Sequence, residues 1–339
     1  MRRSRIRLLL LASAALWAGG LACGAEPTPA PAEAHGSEGH EGHREGEGHH
    51  EGEEHREEPS DLFPCDFFRT GWDEPFEDRP REGRAPRFNL FKSRQGFLER
   101  DVVLGYSYTN GLEDGRVNEH EVAGEVQWAF NRRFGVGVES LSTWQRPGSE
   151  GGRRADGLRW DFSTRWQLID TADCAFNFQV HVITPESHLD EHQTGLAFTL
   201  AGFEDLTKTL GLYRFGLYQH VEYVSLIGPR GVTGEAGGGG EEGDVARPPE
   251  ERRPASLLRY DVSVAKTFVD PNVPLVGDLT AFVEAFAETE LDGSHSGSTA
   301  VTLTPGIRFN PTGREERPWW VQAAVEFPVS GPRAFNERV

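Results

Sequence analysis

The chain has 339 residues, 37% of them hydrophobic and 26% charged, and its 54 acidic against 35 basic side chains give a formal net charge of −19. Beyond residue 25 no stretch reaches the roughly 20 apolar residues that a membrane helix needs, so a helical membrane protein is excluded. The acidic excess would repel nucleic acid and anionic lipid surfaces, which leaves cations as the better partners.

Residues 1–25 read as an export signal, with Arg2, Arg3, Arg5 and Arg7 ahead of an apolar run from Leu8 to Leu21 that is too short to span. Cleavage after Ala25 would leave small residues, Cys23 and Ala25, at the positions a signal peptidase reads. Cleavage before Cys23 with lipidation is the alternative, since Gly20-Leu21-Ala22 resembles a lipobox with its leucine displaced by one. Cys65 and Cys174 would then share an oxidising compartment, and the sequence leaves open whether they pair.

Residues 26–61 pass from a Pro/Ala spacer into HGSEGHEGHREGEGHHEGEEHREE, a segment without aromatic residues that cannot bury a core and is expected to be disordered. His35, His40, His43, His49, His50 and His55 alternate there with glutamates. Neutral imidazole suits Zn, Cu, Ni and Co ions, and neighbouring carboxylates raise the local cation concentration. The spacing has no tetrahedral template, so several weak sites that buffer or deliver metal are expected rather than one structural site. The plain alternative is a solvated spacer. No cofactor is required.

From 62 to 98 the prolines and aromatics of FPCDFF, GWDEPFEDRPREG and PRFNLF point to a connecting segment, partly ordered, that packs on or inside the main domain. The main domain, 99–339, shows a period of two. Leu158, Trp160, Phe162, Trp166 and Leu168 alternate with Arg159, Asp161, Ser163, Arg165 and Gln167, so the two faces of that strand meet different surroundings. About eleven such strands are predicted, at 102–109, 118–130, 134–144, 158–169, 174–184, 193–204, 212–226, 257–268, 279–289, 299–309 and 319–329. Many have the roughly 9–11 residues that cross a bilayer at a tilt.

Short connections follow the second, fourth and sixth strands and longer ones follow the odd strands, the longest lying beyond 226. Short periplasmic turns and long outer loops are the habit of outer-membrane barrels. Trp128, Trp144, Trp166, Tyr213, Tyr223, Trp319 and Trp320 fall toward strand ends, where interfacial girdles sit. The predicted fold is therefore all-β, an antiparallel up-and-down outer-membrane barrel of about twelve strands with a disordered N-terminal tail, and a soluble β-sandwich is the competing architecture. Its lumen, narrow or plugged, would be lined by Arg159, Asp161, Arg165, Arg214, His220, Glu222, Arg259, Asp261, Glu284 and Arg308. For any one of these charges, a wall-to-wall salt bridge is the plainer role.

NEHEVAGEVQWAFNRRFGVGVE near the start of the barrel, and TLTPGIRFNP with WWVQAAVEFPVSGPRAF near its end, resemble a porin-like family of outer-membrane β-barrel proteins associated with the phenol-degradation meta-pathway. The likeness covers roughly 97–335 and implies a transporter or channel of undefined solute. The aromatic-ended closing strand usual in that family is missing from AFNERV.

Chemistry elsewhere is sparse. His188 and His192 flank Asp190 and Glu191 in an outer loop that would suit a divalent ion, and Glu119-His120-Glu121 opens the second strand. His220 and Glu222 share a face, but nothing fixes a nucleophile beside them, so no enzyme is predicted. The expected partners are outer-membrane lipid and divalent metal ions, with a periplasmic efflux system as the assembly a metal-gathering tail would serve. The competing function is a secreted or lipid-anchored metal-binding protein with a soluble β-domain.

Overall fold

A computed structural model of the chain describes residues 60–77, 84–85, 87–111, 117–147, 155–185, 194–227, 256–292, 296–312, 319–331 and 337–338. All of these except Ser60 belong to one compact unit, Asp61–Val339. The export signal, the tail histidines His35, His40, His43, His49, His50 and His55, and the loop pair His188 and His192 lie outside the described residues.

The strands are β1 (Asp101–Gly111), β2 (Val117–Ala129), β3 (Phe134–Pro147), β4 (Ala155–Asp170), β5 (Cys174–Ile183), β6 (Thr194–Asp205), β7 (Phe215–Ile227), β8 (Ser256–Thr267), β9 (Gly277–Glu290), β10 (Thr299–Asn310), β11 (Val321–Ala324), β12 (Phe327–Ser330) and β13 (Glu337–Arg338). From β1 to β11 each strand pairs with its neighbour in sequence, all antiparallel. The described strands form a single sheet, so the sandwich alternative is not what the chain builds.

Strand positions follow the predicted period closely, with three departures, the first being β13, which lies beyond the last predicted strand and pairs with β1. Leu212 to Arg214 belong to a turn, because Asp205 caps a short helix, α1 (Leu206–Leu210), by accepting from Thr207 N at 2.9 Å, and the helix ends on Gly211 with a left-handed φ of 66°. The predicted strand 319–329 is split into β11 and β12, both paired with β10. Pro305 and Pro328 have no amide to give to that ladder, and Glu326 between the pieces turns inward to Lys92 at 3.2 Å.

The sheet is curled. Laid flat, strands at about 4.8 Å spacing would hold its edges about 50 Å apart. Yet β12 pairs with β10 at one edge while β13 pairs with β1 at the other, and the chain between Ser330 and Glu337 reaches at most about 25 Å fully extended. The strand ends Gly111, Val117, Pro147, Ala155, Ile183, Thr194, Ile227, Ser256, Glu290 and Thr299 share one rim, and Ala129, Phe134, Asp170, Cys174, Asp205, Phe215, Thr267, Gly277 and Asn310 share the other. The expected alternation in length is only partial, since 112–116 is short and 268–276 and 311–320 are not.

Side chains sort as the period demands, with the apolar face outward. Leu104 is 84% exposed and Val102 69%, and Val126, Phe162, Val182, Val283, Ile307 and Phe327 also face out. The alternate residues of the same strands, Asp161, Ser163, Arg165, Gln167, Asn177, Gln179 and His181 among them, are buried. Along the outer surface of the second rim, Phe130, Phe134, Trp166 and Phe178 form a chain of ring contacts with centroids 5.8, 5.9 and 5.7 Å apart. Trp320 departs from the expected girdle: its ring lies on the Arg308 guanidinium at 3.8 Å.

Candidate functional site: a lumen filled by its own chain

Residues 62–77 lie along the second rim, against the β2–β3 turn and the end of β4. Leu62 bridges to Asp170 and Pro75 to Asn131, and the fully buried Arg133 gathers this cap. Its guanidinium donates to Thr70 O at 2.9 Å, to Gln167 O and Leu168 O at 3.0 Å and to Phe63 O at 3.1 Å, a spread of acceptors that only a planar five-donor fork can serve. Arg132 adds an ion pair to Glu74 at 2.5 Å. No disulfide joins Cys65 and Cys174, although the cap lies along this rim: Cys65 Sγ is exposed and donates to Asp66 at 3.5 Å, and Cys174 is a buried thiol.

From Arg87 the chain turns into the barrel and returns at Arg100, forming a plug. Arg87 holds the entry through Asp170 at 2.8 Å, Ala85 N donates to the second oxygen of the cap residue Asp205 at 2.9 Å, and Arg100 Nε holds the exit through Ala129 O at 2.8 Å. The base of the plug is apolar: Phe88, Leu90 and Phe97 pack with Phe203, Tyr218, Phe282, Ala175 and Ala265. Gly96 sits so close to Gly202 of β6 that a Cβ there would be 2.5 Å from the Gly202 carbonyl carbon.

The apex is polar, and side chains of the wall satisfy its backbone. Glu284 accepts the amides of Phe91, Lys92 and Ser93 at 2.8, 2.6 and 3.2 Å. Asn177 and Gln179 donate to Gln95 O at 2.9 and 2.7 Å, and Gln167 to Gly96 O at 2.9 Å. Ser93 Oγ binds Asp261 and lies 3.0 Å from Ser263 Oγ, while Arg94 N donates to His220 Nδ1 at 3.2 Å. A buried amide without such a partner would be costly, so these wall residues need to be Glu, Gln, Asn and His.

Arg94 stands at the tip. It meets Asp161 and Glu222 at 3.3 Å and Glu139 at 3.8 Å. Burial alone would lower its pKa, but Glu222, Asp161, Glu139 and Glu125 outweigh that and hold it above the ordinary arginine range. Glu125, Glu139 and Asp161 are direct cross-strand partners on β2, β3 and β4, an alignment of like charge that is destabilising unless cations sit against it. Arg94 is one such cation, Arg165, 3.1 Å from Glu125 and 2.8 Å from Gln95 Oε1, is another, and Arg159 acts on Glu139 at longer range.

The remaining predicted lumen residues fall as follows. Arg259 bridges Glu222 at 2.9 Å and Glu288 at 2.6 Å. Arg308 stacks between Phe88 of the plug, at 4.5 Å, and Trp320. Arg159 is half-buried on β4 opposite Leu141. Arg214 lies outside the strands, in the β6–β7 turn with a left-handed φ of 56°, paired to Asp278 at 2.9 Å and Asp270 at 3.0 Å. Most of these charges thus bind the plug, while Arg259 joins Glu222 and Glu288 on the adjacent strands in wall-to-wall pairs of the kind the sequence suggested.

Sequence reasoning missed Arg94, Ser93, Gln95 and His181. His181 is held by Asp161 at 3.1 Å through Nδ1 and by Gln179 at 3.1 Å through Nε2, which engages both ring nitrogens. Strand alternation divides Glu119-His120-Glu121, since His120 Nδ1 lies 2.8 Å from the hydroxyl of the outward-facing Tyr106 while Glu119 and Glu121 take the opposite face. No group of three or more His, Cys, Asp or Glu side chains placed to hold a metal occurs among the described residues. No family model matches the chain, and neither a curated protein nor a solved structure does.

Proposed function

We propose that this protein is an outer-membrane β-barrel of the channel or transporter type, exported by its N-terminal signal and passing an undefined small solute. The observation that carries the reading is the inversion of the sheet: the apolar side chains of its strands face outward and the polar ones are buried inside. A soluble monomer rarely exposes apolar patches larger than a few hundred Å², whereas lipid demands such a belt. The outward aromatic chain along the second rim suits a membrane interface. In this reading the N-terminus and the 62–77 cap are periplasmic and the long 228–255 connection is outside. The resemblance to the porin-like family points the same way. Nothing in the reading calls for an enzyme or a cofactor.

Fractionation tests it directly. The protein should appear in the outer-membrane fraction as a band whose mobility changes on heating, and a chain fully soluble without detergent overturns the barrel in favour of a soluble metal-binding protein. Planar-bilayer recording then separates a channel from a silent receptor.

The tail histidines give the barrel a second task in this reading: collecting Zn, Cu, Ni or Co ions on the periplasmic side for a periplasmic efflux system. Calorimetry of the full chain against a variant lacking residues 35–58 should show loss of most weak metal binding. Unchanged binding removes the metal role and leaves the barrel reading intact.

A further inference from the structure

We infer that residues 91–95 are a displaceable gate, latched by Arg94 and anchored at its two ends by Phe88 with Leu90 and by Gly96 with Phe97, and that the passage it uncovers selects cations. This rests on the channel reading above. Three features of the lumen lead to it.

The plug is held in two different ways along its length. Phe88 and Phe97 are fully buried among the aromatic side chains of β6, β7 and β9, as anchors are. Between them residues 91–95 meet the wall chiefly through hydrogen bonds and ion pairs. Contacts of that kind are directional and exchangeable with water once it enters, so the apex can leave as a loop while both ends stay seated.

The wall is arranged around the latch. Glu125, Glu139 and Asp161 stand in cross-strand register, with Glu222 on β7 completing the shell of carboxylates around the Arg94 guanidinium. Of the neighbouring wall cations, Arg165 offsets Glu125 of this shell, Arg259 is shared between Glu222 and Glu288, and Arg159 acts on Glu139 only at longer range, so four shell carboxylates and Glu288 face three arginines besides Arg94. Withdrawing Arg94 therefore leaves an excess of negative charge at the level where the apex lay. Rings of carboxylates at a constriction favour cations.

The gate is also tethered at a defined point. Ser93 Oγ lies 3.0 Å from Ser263 Oγ of β8, close enough for a pair of cysteines at these positions to bridge apex and wall.

The test uses the full-length protein reconstituted in planar bilayers with a KCl gradient. Arg94→Gln should raise open-channel occupancy about tenfold or more, since three ion pairs are lost at once, and its reversal potential should move toward that of potassium. Glu139→Gln, which alters only the longest of those contacts, should produce a smaller rise in the same direction. In Arg94→Gln combined with Ser93→Cys and Ser263→Cys, oxidation should shut the pore and reduction reopen it, a response that a merely structural plug would not give. Integrated, heat-modifiable barrels whose occupancy is unchanged by both single substitutions overturn the gate while the barrel stands. Openings that persist in the oxidised triple variant, or an anion-selective open state, overturn it as well. A wild-type chain that does not integrate removes the channel reading, and the gate goes with it.

Discussion

At the base of the plug, Phe88 and Phe97 lie among Phe203, Tyr218 and Phe282, with ring centroids 5.4 Å apart for Phe88–Tyr218 and 5.8 Å for Phe97–Phe203. A few residues on, the apex meets Glu284, Asp261, His220, Asp161 and Glu222, with each polar contact made to one particular atom. The same strands supply both environments. β9 offers Phe282 to the base and Glu284 to the apex, and β7 offers Tyr218 and then His220 and Glu222. Apolar packing is non-directional and sets how firmly the plug is held, whereas the polar contacts set where its backbone lies. The interior of this barrel is therefore a small hydrophobic core beneath a hydrogen-bonded seat.

That division can be broken first at the base. Phe97→Ala removes a fully buried ring, and the expected loss is about 3–5 kcal/mol, the usual cost of truncating a core aromatic. The unfolding midpoint of the detergent-solubilised barrel, followed by its heat-dependent mobility, measures it. An effect below that of the apex substitutions would mean that the base is not the anchor.

At the apex, Glu284→Ala strips three amides of their shared acceptor and is expected to cost about 1–3 kcal/mol. Hydrogen exchange localises the effect: the amides of Phe91, Lys92 and Ser93 should lose protection while that of Phe97 keeps it. Loss of protection across the whole plug would show that base and apex are one cooperative unit.

The junction between the two regions gives a finer test. Gly96→Ala drives a methyl group into the Gly202 backbone, an overpacking expected to cost about 1–3 kcal/mol. Gly202→Ala places its methyl in ordinary contact, 3.5 Å from Gln219 and Phe176, and should change the midpoint little. Equal effects from the two would mean that the plug lies less closely on β6 than the Gly96–Gly202 contact requires.

Much of the wall was legible in the sequence, because the period of two is imposed by strand geometry alone. The alternation from Leu158 to Ile169 gave both the strand and the face that Asp161 and Arg165 occupy. The plug was not legible. Residues 87–98 have neither helical nor strand period, since their backbone is satisfied by wall side chains distant in sequence, as Phe91 N is by Glu284. Arg94 could not be picked from other arginines by composition, because its role depends on the registers that align Glu125, Glu139 and Asp161. One signal was available in retrospect: a wall rich in Gln, Asn and Glu at mid-strand, as in Gln167, Asn177, Gln179 and Glu284, is a wall that expects backbone to bind. Arg214 was misplaced for a local reason, as the cap of α1 by Asp205 takes the three residues before Phe215 out of β7.

The smallest expected effect concerns polar wall residues that the plug does not use. Thr304 on β10 faces inward directly across from Glu284, is 3% exposed, and its hydroxyl has no hydrogen-bond partner among the described residues. If mid-wall polarity exists to hold the plug, Thr304→Val should be neutral or stabilise the barrel by about 1 kcal/mol or less, since it replaces an unpaired buried hydroxyl by a methyl of nearly equal volume. Ser263→Ala, by contrast, removes a hydroxyl bonded to Asp261 at 2.5 Å and lying against Ser93, and should destabilise. Unfolding midpoints of the two variants side by side decide the point. A Thr304→Val loss as large as that of Ser263→Ala would mean that the wall requires polar side chains throughout, independently of what the plug touches.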